Sequence, residues 1–152
     1  MVTLYFPGGG FGFWYLLGIY TNLRENHQIH NYQILGCSAG SLIGLVSLLK
    51  DEFINLDFLI NISNQAKEKN PGLLNIYNFI NSLFDLTEDY IDYENLSLNL
   101  QNLSIHISEI DYFICGCFPY LSKKIIYPEN LKHLRQLCLA SCQIPFFGRS
   151  PH

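Results

Sequence analysis

The pentapeptide Gly36-Cys37-Ser38-Ala39-Gly40 has the G-x-S-x-G pattern of a nucleophile elbow. It follows a short apolar run at residues 32–35 that predicts a strand, and it precedes a run that predicts a helix. In such a turn Gly36 and Gly40 avoid side-chain clashes, and the Ser38 hydroxyl stands clear of the sheet near the positive end of the helix. The pattern therefore indicates Ser38 as a nucleophile for acyl transfer. The alternative is a glycine-rich turn in which Ser38 only caps the helix.

Three consecutive glycines occupy the equivalent place after the preceding predicted strand: Gly8, Gly9 and Gly10. Consecutive glycines allow several backbone N–H groups to point at one oxygen atom, as an oxyanion hole requires. A dinucleotide-binding turn would need glycine at position 13, where Phe13 stands, and a Walker loop would need a Gly-Lys-Ser/Thr sequence that the chain lacks. We therefore expect these glycines to form an oxyanion hole.

The predicted strands and helices around these two turns indicate an α/β fold. Strand, tight turn and helix occur twice in the first fifty residues, which predicts a mainly parallel sheet with flanking helices on both faces and a buried first strand at residues 2–6. We expect one domain over residues 1–152. Further helices are predicted at 11–26, 41–50, 56–69, 73–83 and 131–141, and further strands at 103–108, 112–118 and 124–127.

The amino-acid composition argues against several classes of protein. Of the 152 residues, 49% are hydrophobic and 14% are charged, which disfavours disorder, and the net charge of −4 gives no reason to expect a nucleic-acid partner. The N-terminus lacks a secretory pattern, and the longest apolar run, residues 34–49, is too short and too rich in serine for a membrane span. Five cysteines without a scaffold spacing indicate reduced thiols. We expect a cytoplasmic protein that touches membrane or lipid surfaces peripherally.

Three segments, in the family's order, resemble the patatin-like phospholipases, and specifically their adiponutrin-like branch. They are Phe6-Pro7-Gly8-Gly9-Gly10-Phe11-Gly12-Phe13-Trp14-Tyr15, Leu35-Gly36-Cys37-Ser38-Ala39-Gly40-Ser41-Leu42, and Leu137-Cys138-Leu139-Ala140-Ser141-Cys142-Gln143-Ile144-Pro145-Phe146-Phe147.

The resemblance implies a lipid acyl-ester hydrolase that uses a serine–aspartate dyad. Ser38 would attack the ester carbonyl, the N–H groups of Gly9 and Gly10 would hold the oxyanion, and an aspartate would take the serine proton. It implies no cofactor and no metal, a lipid ester as substrate, and work at a membrane or lipid-droplet surface.

The chain departs from the family pattern at two places. Phe13 stands where the family's last turn glycine is usual, and the family's Asp-Gly motif lies beyond the Ile-Pro turn, whereas this chain ends at His152. We therefore expect a patatin-like domain that is incomplete at its C-terminus. The candidate aspartates after the elbow are Asp85, Asp89 and Asp92, expected in a solvated acidic loop, and Asp111, expected at a turn between strands.

Other readings remain open. The same fold could serve as a catalytically silent lipid- or membrane-binding module, and a Ser-His-Asp esterase could use His133 if that side chain reached Ser38. A four-thiolate zinc site is disfavoured because its C-x-C and C-x-x-x-C spacings are not those of zinc knuckles. Its ligands would be Cys115, Cys117, Cys138 and Cys142.

Overall fold

The chain folds as a four-stranded sheet with flanking helices in a computed structural model that describes residues 2–27, 32–70, 75–112 and 119–142. β1 (Val2–Phe6) is followed by a 3-10 turn at Gly10–Gly12 and by α1 (Phe13–His27). β2 (Tyr32–Cys37) is followed by a 3-10 turn at Ser38–Gly40 and by α2 (Ser41–Val46). The remaining elements are α3 (Leu56–Lys69), α4 (Ile76–Thr87), α5 (Leu96–Gln101), β3 (Leu103–Tyr112), β4 (Pro119–Ile126) and α6 (Leu131–Cys142).

The sheet is mixed and has the order β1-β2-β3-β4. The first three strands are parallel, as expected, and β4 is antiparallel because it returns along β3, with Tyr112 opposite Pro119. The expectation of a buried first strand is wrong. Among the described strands β1 has one neighbour, and Val2 and Tyr5 are 57% and 54% exposed.

The hydrophobic core lies on one face of the sheet. Phe6 and Ile105 flank Gly36 in register and are buried, whereas Tyr5 and Ile125, whose side chains point to the opposite face, are each 54% exposed. The strand order explains this, because two successive right-handed crossovers in the same direction place their helices on the same side. The sequence analysis predicted helices on both faces of the sheet. Within the described residues, helices cover one face.

The predicted helices are found, but several of their ends are shifted; α1, for example, begins at Phe13 and not at residue 11. The bounds of α3 are confirmed, and Asn55 caps it by accepting a 2.9 Å hydrogen bond from the Phe58 N–H. α2 ends at Val46 and not at residue 50. The backbone after it pairs with another segment, because Leu49 forms a β-bridge with Ile91 and the Lys50 N–H donates to the Tyr90 carbonyl at 3.0 Å. α4 continues to Thr87, past the expected end at 83, and α5 was not predicted.

In the β hairpin, β3 runs four residues beyond its predicted end at 108, and β4 starts at Pro119 and not at 124. Most of the strand predicted over 112–118 lies outside the described residues.

None of the helices in the described ranges has the length and apolar character needed to cross a bilayer.

Candidate functional site

Ser38 stands at a sharp strand-to-helix turn, as the G-x-S-x-G pattern predicts. β2 ends at Cys37 in extended backbone, and Ser38 then has a φ of +50°. Among the described residues it is the single non-glycine residue with a positive φ. The left-handed region costs an L-residue roughly 1–2 kcal/mol, so surrounding contacts must hold Ser38 there. The strained geometry is that of a nucleophile elbow.

Both glycines of the pentapeptide are required by the close approach of backbone segments. A Cβ atom on Gly36 would lie 2.6 Å from the Gly40 carbonyl oxygen and from Ser41 Cα. A Cβ atom on Gly40 would lie 2.0 Å from the carbonyl oxygen of Phe6, the last residue of β1. The elbow is therefore pressed against the end of the neighbouring strand.

The glycine turn after β1 adjoins Ser38. A Cβ atom on Gly8 would lie 3.2 Å from Ser38 Cβ and 3.8 Å from Ser38 Oγ, which places the two turns well within the roughly 8 Å that shared binding of one carbonyl requires. Gly10 has a φ of +51°, which favours glycine, and Gly9, like Gly8, is exposed. The predicted juxtaposition of serine and glycine turn is confirmed, and their roles in catalysis stay predictions.

Phe13, which the resemblance places where a turn glycine is usual, is a core residue. It begins α1, is buried, and makes edge-on ring contacts with Phe79 and Trp14 at centroid distances of 6.4 and 5.8 Å. Tyr15, by contrast, points into solvent and is 73% exposed. The aromatic residues at the start of α1 thus anchor that helix to α4.

The end of α6 reaches the elbow through Ser141, and Ser41, the first residue of α2, also bonds to Ser38; the sequence analysis gave neither serine a role. The Ser38 N–H donates a 2.7 Å hydrogen bond to Ser141 Oγ, and the Ser141 hydroxyl donates at 2.7 Å to the carbonyl of His106 on β3. The Ser41 hydroxyl donates at 2.6 Å to the Ser38 carbonyl. The sequence signal was the small-residue end of α6, which the resemblance included without a role.

Two thiols of α6 pack against the inner side of the elbow. The Cys138 thiol donates to the Ser41 carbonyl at 3.5 Å, and Cys142 Sγ lies 3.9 Å from Ser41 Oγ. Burial raises the pKa of Cys142 to about 11, against smaller opposing effects of hydrogen bonds with the Ser41 and Ser38 side chains. Burial raises the pKa of Cys138 as well. Both thiols are neutral at physiological pH.

The aspartates with described side chains are engaged elsewhere or exposed. Asp85 lies on α4 and not in a loop, and it pairs with Arg135 of α6 at 2.6 Å. Asp92 bonds to Asn95, and Asp89 is exposed in a 3-10 turn. No hydrogen bond found among the described side chains joins an aspartate to the Ser38 hydroxyl.

Asp111 does not occupy the predicted turn. It lies inside β3, paired with Tyr120 of β4, because the strand continues to Tyr112. Its side chain lies outside the described residues.

The histidine that the esterase alternative requires is distant from the elbow. His133 lies in the first turn of α6, where its Nδ1 accepts a 3.3 Å hydrogen bond from the Glu129 N–H. Ser141 follows it by eight residues, or about 12 Å of helix, and it is this end of α6 that contacts Ser38. An imidazole at this distance cannot take the serine proton, so the His133 reading is wrong.

The described residues contain no cluster of three or more histidine, cysteine or acidic side chains that could hold a metal ion. Cys115 and Cys117, half of the thiolate set considered above, lie outside the described part of the chain. Cys37, Cys138 and Cys142 are free thiols.

A cavity of about 800 Å³ opens at the opposite end of β2 from Ser38. Its lining includes Tyr32, the first residue of that strand, together with Arg24 and Asp51, which form an ion pair. Five residue steps along the strand separate Tyr32 from Cys37, or roughly 17 Å. The cavity is therefore not part of the elbow site.

Comparisons of this chain with protein-family models, with curated proteins and with solved structures gave no match.

Proposed function

We propose that this protein is a serine acyl-ester hydrolase of the patatin-like type that acts on lipid esters, with Ser38 as its nucleophile. The observation that carries the proposal is the left-handed Ser38 at a strand-to-helix turn, with its hydroxyl beside Gly8. A structural turn would not need a strained serine, since glycine adopts this φ without cost. Ser38 is half-buried and the glycine turn beside it is exposed, so an ester can approach from the side of the turn.

In the proposed reaction the Ser38 oxygen attacks the ester carbonyl carbon, and the N–H groups of Gly9 and Gly10 hold the developing oxyanion. Collapse of the tetrahedral intermediate releases the alcohol and leaves an acyl-serine, which water then hydrolyses to a carboxylic acid. The serine proton passes to a base that the resemblance implies to be an aspartate and that no described side chain provides.

The lipid nature of the substrate is part of the proposal and is supported by the resemblance of three segments and by the apolar composition. On the same grounds we propose a cytoplasmic protein that meets its substrate at a membrane or lipid-droplet surface. No cofactor enters this chemistry.

A second candidate is a catalytically silent lipid-binding module on the same fold. The observation that favours it is that, within the described residues, no carboxylate or imidazole is hydrogen-bonded to the Ser38 hydroxyl. A nucleophile without a base loses general-base assistance worth about 10²–10⁴-fold.

Labelling with a fluorophosphonate, followed by intact-mass and peptide mass spectrometry, separates the two candidates. We expect one adduct per chain, located on Ser38 and absent from Ser38→Ala. Ser63→Ala is the matched control, because Ser63 is a buried helical serine whose hydroxyl bonds only to the Leu59 carbonyl at 2.7 Å. A chain whose Ser38 stays unmodified under conditions that label a known serine hydrolase would refute the proposed function and leave the silent module.

A further inference from the structure

The peptide groups on both sides of Ser38 are held by serine hydroxyls. The hydroxyl of Ser41, three residues further on, donates to the Ser38 carbonyl, and Oγ of Ser141, 103 residues further on, accepts from the Ser38 N–H. A local bond of the first kind is common in turns, but the second must be supplied by tertiary structure. It is this long-range bond that fixes the orientation of the strained residue.

The hydrogen bond to Ser141 provides an acceptor for the Ser38 N–H, which lies just beyond the end of strand β2. At a φ of +50° Ser38 no longer follows the extended path of β2, and a partly buried N–H without an acceptor would be costly. Ser141 Oγ accepts a hydrogen bond from this N–H, and the Ser141 hydroxyl donates one to the His106 carbonyl. His106 is the last residue of β3 in register with β2, opposite Cys37.

The Ser141 hydroxyl of α6 thus forms hydrogen bonds with both the elbow and strand β3. We propose that Ser141 is a positioning residue for the nucleophile: it keeps Ser38 in the left-handed conformation that presents the hydroxyl to the Gly8 turn. This inference rests on the proposed function of Ser38. It also removes the Ser38 N–H from the candidate oxyanion donors, because this N–H already donates to Ser141 Oγ.

The test compares fluorophosphonate labelling of the wild-type chain, Ser141→Ala, Ser141→Thr and the control Ser63→Ala. We expect the loss of this hydrogen bond from the partly buried Ser38 N–H to lower the labelling rate at saturating probe by about tenfold in Ser141→Ala. The probe concentration for half-maximal rate changes little, because Ser141 does not touch the probe. Ser141→Thr keeps a hydroxyl at the same place and restores most of the rate. Ser63→Ala labels at the wild-type rate.

Amide hydrogen exchange followed by NMR reports the same bond without any chemistry at Ser38. We expect the Ser38 amide to lose protection in Ser141→Ala while the amides of β3 and of the first half of α6 keep theirs, which shows that the variant is folded.

The two proposals fail in different ways. A wild-type chain that gives no Ser38 adduct overturns the proposed function, and the positioning role with it. A wild-type chain that is labelled at Ser38 while Ser141→Ala is labelled just as fast, or keeps a protected Ser38 amide, overturns the role of Ser141 alone.

Discussion

At the scale of single residues, the elbow stores backbone strain that can be measured without any assay of activity. Replacing Ser38 by alanine keeps a Cβ atom in the left-handed region, whereas glycine removes it. We expect Ser38→Gly to be more stable than Ser38→Ala by about 1 kcal/mol, although glycine usually destabilises folded segments. Urea unfolding at equal m-values measures the difference. If the alanine variant were the more stable one, Ser38 would not be held at a positive φ.

Alanine substitutions at two glycines, Gly40 and Gly18, test the packing of the elbow. A methyl group on Gly40 would overlap the Phe6 carbonyl, whereas one on Gly18, inside α1, would meet no atom within 4 Å. We expect Gly40→Ala to lose more than about 3 kcal/mol of unfolding free energy or to fail to fold. Gly18→Ala should gain up to about 1 kcal/mol, because alanine is the better helix former. Thermal unfolding of both variants checks this, and equal effects would contradict the described packing of the elbow on β1.

The elbow glycines and the position of Ser38 could be predicted because a tight turn imposes its demands on adjacent residues. The contacts of Ser141 and Cys142 with the elbow could not, since these partners lie about a hundred residues away and the small-residue end of α6 does not show which residues it meets. Asp111 shows the converse error: short-range polarity favoured a turn, and pairing with β4 extended the strand through it.

At the scale of elements, α6 is the link between the helical layer and the elbow. Its middle pairs with α4 through Arg135 and Asp85, and Arg135 also lies 5.2 Å from the centre of the Phe84 ring. Its last turn carries the contacts with Ser38. The ends of α6 were predictable, since Pro128-Glu129-Asn130 is a helix-start signal and Pro145 a stop signal, but its docking site was not, because such signals do not identify the strand that a helix covers.

The Asp85–Arg135 pair permits a prediction about the missing base. Both side chains are partly or largely exposed, so Asp85→Asn should cost less than about 1 kcal/mol of stability. Because Asp85 is paired to α6 and not hydrogen-bonded to the nucleophile, the variant should also keep the wild-type rate of fluorophosphonate labelling at Ser38. Intact-mass kinetics measure that rate. A tenfold slower reaction in a folded Asp85→Asn chain would show that Asp85 assists Ser38 after all.

At the scale of the whole molecule, the α/β class follows from the two strand–turn–helix units, and the one-sided core follows from the order in which the strands pair. Hydrophobic patterning could not distinguish these arrangements, since β1, which lies at the edge of the sheet formed by the described strands, carries the same β-branched and aromatic residues as a central strand. The order β1-β2-β3 depends on long-range pairing, which leaves no periodic signal in the sequence.

The buried thiols beneath the elbow make the stability of the whole fold sensitive to alkaline pH. The folded pKa of Cys142 is about 11, against an ordinary value of 9.0, so the unfolded chain loses the thiol proton first. The unfolding free energy contributed by this group is complete below pH 9 and declines as the pH rises toward 11. Two pKa units correspond to about 3 kcal/mol, and the raised pKa of Cys138 acts in the same direction.

Urea unfolding at pH 7, 9 and 10.5 measures this decline, and Cys142→Ala is the variant that isolates it. The alanine chain has no thiol to ionise at this position, so its unfolding free energy should fall less steeply above pH 9, even if it is lower at pH 7. Tyr20, whose pKa burial raises well above its usual value, adds a decline of the same sign in both chains and cancels in the comparison. Equal slopes for the wild-type and Cys142→Ala chains between pH 9 and 10.5 would mean that Cys142 is not buried against the elbow. The helix end that carries Ser141 would then be docked differently from the arrangement described above.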